Sequence, residues 1–244
     1  MENKNRYKVT SIEHSNAPRS VIDNMSEVRS FSTRELTNLK IVHGGDEGTE
    51  HLRVFRDLRT QLVKHAQGKN FVCLVTSAAP GGGSYVAANL AATIALDRAK
   101  TSLFLDCNLY DPFGENLLPV PAHLGLTDYI DDPSISTSEV VYASGIPRVR
   151  VVPVGNNREG GTEKINSLRM REFFHEIKTR YPDRYTIVDA PSAAEYDAEI
   201  RILADLCDFV LLVVPYGKVT DVEVQSAIDK IGAEKIAGVV FNRG

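Results

Sequence analysis

The stretch APGGGSYVAANLA, Ala79 to Ala91, puts three consecutive glycines between an apolar run, FVCLVT (Phe71 to Thr76), and a segment whose Val86, Leu90 and Ile94 share one helical face. Glycines at such a junction let successive backbone N–H groups and a helix N-terminus surround a phosphate. A loop that works on nucleotides adds a lysine, whose ammonium neutralises the outer phosphate oxygens, and a Ser or Thr hydroxyl for Mg²⁺. Here Ala78, Gly81, Gly82 and Gly83 supply the backbone part, but Ser84 holds the lysine position and Tyr85 the hydroxyl position. A phenol is a bulky, poor ligand for a hard cation, and no lysine lies between Lys69 and Lys100. Losing one well-placed charged donor removes ~3 kcal/mol of transition-state stabilisation from a phosphoryl-transfer site. Efficient ATP hydrolysis is therefore not expected. Two readings of the loop stay open: a turn that merely joins strand to helix, and weak binding of ATP or ADP through the backbone cradle. No other cofactor is expected.

The elements that must position this loop alternate apolar runs with helical segments, the pattern of an α/β fold with a parallel sheet and crossover helices. After FVCLVT come the strands TSLFLD (Thr101 to Asp106), RVRVVPVG (Arg148 to Gly155), YTIVDAP (Tyr185 to Pro191), DFVLLVVP and KIAGVVFNR (Lys235 to Arg243). DPFGENLLPVPAHLGL reads as a long Pro- and Gly-rich loop, GLTDYI and STSEVVYA as two short helices. SLRMREFFHEIKTRY is a helix with Ser167 as N-cap, and TDVEVQSAIDKIG one that starts on Thr220 or Asp221 and stops at Gly232. Ahead of the first strand, EHLRVFRDLRTQLVKH (Glu50 to His65) is an amphipathic helix with Leu52, Phe55, Leu58 and Leu62 at helical spacing. Residues 1–49 mix both charge signs with Ser and Asn and read as a poorly ordered N-terminal arm, apart from a short local element over RELTNLKIV; residues 50–244 form the one domain.

Composition narrows the partners. A formal net charge of −4 gives no basic footprint for nucleic acid. Three widely spaced cysteines and six scattered histidines show neither a disulfide framework nor metal-ligand spacing, so no metal site is expected. The longest apolar run, FVLLVV (Phe209 to Val214), is far too short for a bilayer, and the N-terminus has no apolar signal region. A cytoplasmic protein that reaches a membrane only through a partner is the expectation.

The glycine loop with its AANLA helix, LFLDCNLYDP, YTIVDAPS and GVVFNR come in an order and spacing that resembles the bacterial tyrosine kinases, P-loop domains related to the ParA and MinD ATPases. FRDLRT, GIPRVRVVPVG and SLRMREFFHEIKTRYPDRYTIVDAP extend the resemblance over roughly Glu50 to Arg243. It implies a three-layer P-loop NTPase-like domain. It also assigns roles: Asp106 falls on the first carboxylate of the family's DxDxR motif, whose second Asp and Arg are Asn108 and Tyr110 here. Asp189 falls on the strand-end carboxylate behind the Mg²⁺ shell, and Asn242 on the asparagine that contacts adenine. Both aspartates serve equally well as carboxylates hydrogen-bonded at strand ends, and Asn242 as a strand cap. The family's ring-forming ExxRxxR motif aligns on Arg53, Arg56 and Arg59, with Arg in place of Glu; shifted by one step it reads Glu50, Arg53, Arg56. A solvated basic helix face is the alternative.

The family's C-terminal tyrosine cluster has no counterpart after FNRG. With Ser84, Tyr85, Asn108 and Tyr110, this implies a domain whose catalytic positions, Asp106 and Asp189 included, are vestigial. The expected function is support of extracellular polysaccharide synthesis or export by contact with a separate membrane chain-length determinant, with homo-oligomerisation as a further possibility. A weak ATP-dependent tyrosine autokinase or ATPase that borrows a lysine such as Lys69 or Lys218, and a ParA/MinD-like positioning ATPase, are the alternatives.

Overall fold

The computed structural model describes residues 29–180 and 184–243. Its centre is a seven-stranded sheet in the order β3-β4-β2-β5-β1-β6-β7. The strands are β1 (Val72–Ser77), β2 (Thr101–Asp106), β3 (Tyr142–Ala143), β4 (Val149–Val152), β5 (Arg184–Asp189), β6 (Phe209–Pro215) and β7 (Ile236–Asn242). All neighbours pair in parallel except β3, which runs antiparallel to β4 at the edge. The inner strands β1, β2, β5 and β6 are buried at every residue, which is why they read as unbroken apolar runs rather than as alternating ones.

Successive side chains of those strands feed two cores. Leu74, Leu105, Val188, Leu212 and Val214 face α6 (Leu168–Arg180), α7 (Asp197–Leu206) and α8 (Asp221–Ile231). Cys73, Val75, Phe104, Ile187 and Val213 face α2 (Glu50–His65) and α3 (Gly83–Ala95). Helix α3 is buried nearly all round. Its alanines let it approach the sheet closely while a second layer closes over its back. Ser167 caps α6 by accepting the Met170 N–H at 3.1 Å. Thr220 and Glu223 form a reciprocal cap on α8, which stops at Gly232 with φ 91°.

The sequence reading differs from the structure in three places. STSEVVYA is a 3₁₀ turn (Thr137–Glu139) followed by β3, because Val140 is drawn into the core and Tyr142 pairs with Val151. Two helices were not foreseen, α5 (Gly161–Ile165) and α7, although Ile200, Leu203 and Ala204 carry a helical stripe.

Residues 1–28 lie outside the described residues; from residue 29 the segment read as an arm packs on the domain, and the short local element read over RELTNLKIV is present in it. Helix α1 (Thr33–Asn38), opened by a Ser32–Glu35 capping box, and the segment after it bury Leu36, Ile41 and Val42. Burial of three aliphatic side chains is worth roughly 1.5–3 kcal/mol each, enough to order a short polar segment. The polar anchor is Asn89, wholly buried on α3. Its Oδ1 accepts the Val42 N–H at 2.8 Å, and its Nδ2 donates to the carbonyls of Lys40 at 3.0 Å and Tyr85 at 2.9 Å. Asn89→Ala strands that N–H and carbonyl without a partner. The expected loss is about 1–3 kcal/mol in urea denaturation, with new protease cleavage between residues 29 and 49; an unchanged midpoint and cleavage pattern would show that the anchor contributes nothing.

Candidate functional site

The parallel strands deliver their C-terminal ends to one edge of the sheet, where the loops after β1, β2 and β5 enclose a cavity of about 450 Å³. This is the crevice at which open α/β sheets place ligands. One wall is the glycine loop. Gly81 and Gly82 have φ of 114° and 88°, values that a side chain resists. A Cβ on Gly82 would also overlap the Asn242 carboxamide. Gly82 occupies the N-cap of α3 and, having no side chain, leaves the helix without a side-chain cap. The first-turn residues Gly83, Ser84 and Tyr85 line the cavity. Thr76 and Ser77 hold the loop to the turn after β5: Thr76 Oγ1 donates to the Pro191 carbonyl at 2.6 Å, and the Ser77 carbonyl accepts the Ala193 N–H at 2.9 Å.

Tyr85 does not offer its hydroxyl to the cavity. The hydroxyl is hydrogen-bonded to Nε2 of His51 on α2. The two rings stack with an interplanar angle of 2°, and Phe55 meets the Tyr85 ring edge-on at 6.0 Å. Burial raises its phenol above the usual range. The position reserved in nucleotide-handling loops for a metal-binding hydroxyl thus fastens the loop to α2.

Asp106 and Asp189 lie opposite each other in register at the ends of β2 and β5, both out of contact with water. Asp106 accepts N–H groups from Asn108 at 3.0 Å, Phe113 at 2.8 Å and Gly114 at 2.6 Å. Asp189 has no hydrogen-bond partner on either oxygen. Burial pushes Asp106 up to about 7 despite its three donors. Asp189 is raised well above the ordinary carboxylate range, by burial first and then by the Asp106 charge, against the pull of the Ser84 hydroxyl. Two carboxylates this close in a dry site cannot both ionise; Asp106, which has the donors, keeps the charge and Asp189 the proton.

Across the cavity the residues replacing the family's second Asp and Arg have found other partners. Asn108 Oδ1 accepts the Asp111 N–H at 3.1 Å. Tyr110 lies flat on Tyr196, ring centroids 3.7 Å apart, and donates its hydroxyl to Glu199 Oε1 at 2.8 Å, an oxygen that Thr162 also reaches at 2.6 Å. Burial acts to raise Glu199, but the two hydroxyls outweigh it and hold the carboxyl below its ordinary range. Burial and then the Glu199 contact push Tyr110 up to about 12. Tyr196 and Glu199 were missed in the sequence because α7 was missed.

The structure gathers Gly81, Gly82, Gly83, Ser84 and Tyr85 at the cavity, sets Asn242 against Gly82, and places Asp106 and Asp189 beneath. It separates the α2 arginines by role. Arg53 is exposed, Arg56 lies 3.9 Å from Glu47, and Arg59 donates to the Thr93 carbonyl near the end of α3 at 3.2 Å. Lys69 precedes β1, at the strand end remote from the loop. Lys218, on the turn between β6 and α8, brings Nζ to 3.5 Å from where a Gly81 Cβ would stand. Among the described residues no group of three His, Cys, Asp or Glu could hold a metal ion, and no helix is long and apolar enough to cross a membrane.

The carboxylate pair sets a pH dependence. A buried acid with a raised folded-state value stabilises most below its unfolded value near 4, and that contribution is lost as pH rises through the folded value. Stability is therefore expected to fall between pH 4 and about 7 through Asp106. Asp189→Asn removes the acid that burial and the Asp106 charge raise, and with it that acid's own share of the fall, so the slope flattens. Thermal melts at pH 5 and pH 8 should show the variant gaining on the parent at pH 8 by on the order of 1–2 kcal/mol; parallel profiles would contradict the shared-proton assignment.

No family model matches the chain. EpsB of Ralstonia solanacearum, which is named as a tyrosine-protein kinase, is 30% identical over 201 residues, covering 78% of this chain and 25% of that protein. The chain thus spans about a quarter of the length of that relative. The kinase domain of the Escherichia coli tyrosine kinase ETK superposes with a TM-score of 0.75 at 22% identity, over 90% of this chain and 82% of that one. The MinC:MinD cell division complex of Aquifex aeolicus matches at a TM-score of 0.52 and 20% identity, over 71% and 68% of the chains. The domain is a homologue of the bacterial tyrosine-protein kinase domains, built on the P-loop fold that those domains share with MinD.

Proposed function

We propose that this is a non-catalytic tyrosine-kinase-like domain that supports polysaccharide synthesis or export by contact with a separate membrane chain-length determinant. The observation that carries the reading is the hydrogen bond between Tyr85 and His51. It turns the hydroxyl at the metal position away from the cavity, and the phenol could not coordinate Mg²⁺ without breaking that bond and unstacking the ring. Asp106 is equally committed, with three backbone donors on its carboxylate. Asn108 is neutral and already accepts a backbone N–H. The residues present do not fit a Mg²⁺ ion bridging nucleotide phosphates, and no phosphoryl transfer is derived through one. The backbone cradle of Gly81 to Gly83 does fit phosphate oxygens.

A tyrosine-kinase fold without its metal site retains a rigid surface, and a rigid surface is what contact regulation needs. The exposed Arg53 and Val54 on α2 lie outside the core, and they are available to a partner without disturbing the sheet. The autokinase alternative draws on one observation, the approach of Lys218 to the glycine loop.

Incubation of the full chain with labelled Mg²⁺-ATP, alone and with a chain-length determinant in membrane vesicles, should give no phosphotyrosine and no phosphate release above background while the two proteins still associate. Measurable turnover would overturn the reading. Ser84→Lys combined with Tyr85→Thr should restore a gain in melting temperature from Mg²⁺ added to ADP; in the parent chain Mg²⁺ should add nothing.

A further inference from the structure

The part of the cavity wall that comes from the loop after β2 and the turn after β5 has a chemistry of its own. No Lys, Arg or His lines the cavity. Asp111 and Glu195 do, and neither carboxylate makes an ion pair among the described residues. Asn108 is only 8% exposed. Its Oδ1 is taken by the Asp111 N–H, while its Nδ2 has no partner among the described residues. Asn116, exposed in the same wall, is bonded through its backbone N–H alone, which donates to the Phe113 carbonyl at 3.0 Å. The stacked rings of Tyr110 and Tyr196 line the same cavity. Tyr110 is 45% exposed, and its hydroxyl is anchored on Glu199, so the ring is held in place before any ligand arrives.

These groups select a ligand by elimination. An anion would meet two carboxylates and no basic side chain. An apolar molecule would leave the buried Asn108 donor without an acceptor, which burial penalises. A cation would satisfy the carboxylates and a ring face, but it offers no oxygen to the two carboxamides, whose Nδ2 groups only donate. A polyhydroxylated ring answers all three kinds of group. Its hydroxyls donate to the carboxylates and accept from the carboxamides, while its C–H face lies on a tyrosine.

We infer that the wall formed by Asn108, Tyr110, Asp111, Asn116, Glu195 and Tyr196 binds a neutral sugar ring, with the tyrosine stack as its platform. The inference goes beyond the non-catalytic reading and does not rest on it, since it uses neither the metal position nor the glycine loop. The cavity, about 450 Å³, lies within the roughly 300–1,000 Å³ of small-molecule sites. Hydroxyls that donate to an ionised carboxylate make the stronger bonds of the set. Asp111, Asn116 and Glu195 are exposed and keep water until the ligand displaces it, so binding is expected in the millimolar range.

Saturation-transfer NMR on the full chain, with cellotetraose, maltotetraose, a hyaluronan tetrasaccharide and spermidine as probes, tests the assignment. A neutral tetrasaccharide should receive saturation at millimolar concentration, the uronate-bearing fragment less, and spermidine should not displace the neutral sugar. Asn116→Ala removes an exposed side chain that has no partner in the fold. It should weaken neutral-sugar binding roughly threefold to tenfold, the loss of one hydrogen bond, at an unchanged melting temperature, which separates lost binding from lost folding. Tyr110→Leu should weaken it as much, and Tyr110→Phe, which keeps the ring, should weaken it less. Asp111→Asn combined with Glu195→Gln keeps the acceptors and removes the charge, so hyaluronan binding should rise while neutral binding falls. Ser226→Ala, on α8 and outside the cavity, should bind as the parent does. No transfer to either neutral sugar at millimolar concentration, unchanged binding in both Asn116→Ala and Tyr110→Leu, or displacement of the sugar by spermidine would each overturn the inference. The non-catalytic reading is judged separately: it falls on phosphotyrosine formation or ATP turnover, whichever way these spectra come out.

Discussion

Two carboxylates held in register at the ends of adjacent strands, in a place water does not reach, set the terms for everything around them. Asp106 and Asp189 cannot share that space as two anions. The loop after β2 resolves the conflict by bending back so that three of its N–H groups meet Asp106. Gly114 favours that bend, since a Cβ there would stand 3.0 Å from an Asp106 oxygen and press on the carboxylate. With the charge fixed on one side, the proton stays on the other. The pair therefore carries one negative charge, on Asp106, and one proton, on Asp189.

The glycine loop follows from the same sheet geometry but is held by different forces. Its position is fixed from below by Thr76, Ser77 and the Pro191 turn, and from the side by Tyr85 on His51 and Phe55. Helix α3 links that fixing to the N-terminal segment, because Asn89 bonds both to the Tyr85 carbonyl and to the backbone of residues 40 and 42. Loop, first helix and N-terminal segment are thus one packed unit. Its interior polar groups at Asn89 are answered within the chain.

The sheet was legible in the sequence because buried parallel strands are continuous apolar runs, and the loop was legible because only glycine takes the backbone angles it needs. Capping signals were equally plain at Ser167, Thr220 and Gly232. Local pattern failed where tertiary contact decides. STSEVVYA has helical residues, yet its second half completes an edge strand whose partner lies near residue 151. Residues 29–49 look polar because their three buried side chains are short aliphatics scattered among charges, and their anchor is an asparagine on another helix. The direction of a side chain is least legible of all. Tyr85 could be identified as a poor metal ligand, but that its hydroxyl would seek His51, thirty-four residues earlier, depends on how α2 crosses α3. Tyr110, read as a lost arginine, turned out to have a partner in Glu199 on a helix the pattern did not reveal.

These replacements share a physical logic. A vacated charge in a buried site leaves behind a demand for a hydrogen-bond partner, and each substituted residue meets a demand of that kind with a nearby neutral or singly charged group. Tyr85 meets His51, Asn108 meets the backbone of Asp111, and Tyr110 meets Glu199. The backbone donors of the glycine loop are different, because their arrangement comes from φ angles and from the start of a helix, and no single side-chain substitution removes them. The geometry of the cradle is therefore independent of which side chains stand at positions 84 and 85. Side-chain partners and backbone cradle are thus separable for a structural reason: the first depend on which residue stands at each position, the second on φ angles and the start of a helix.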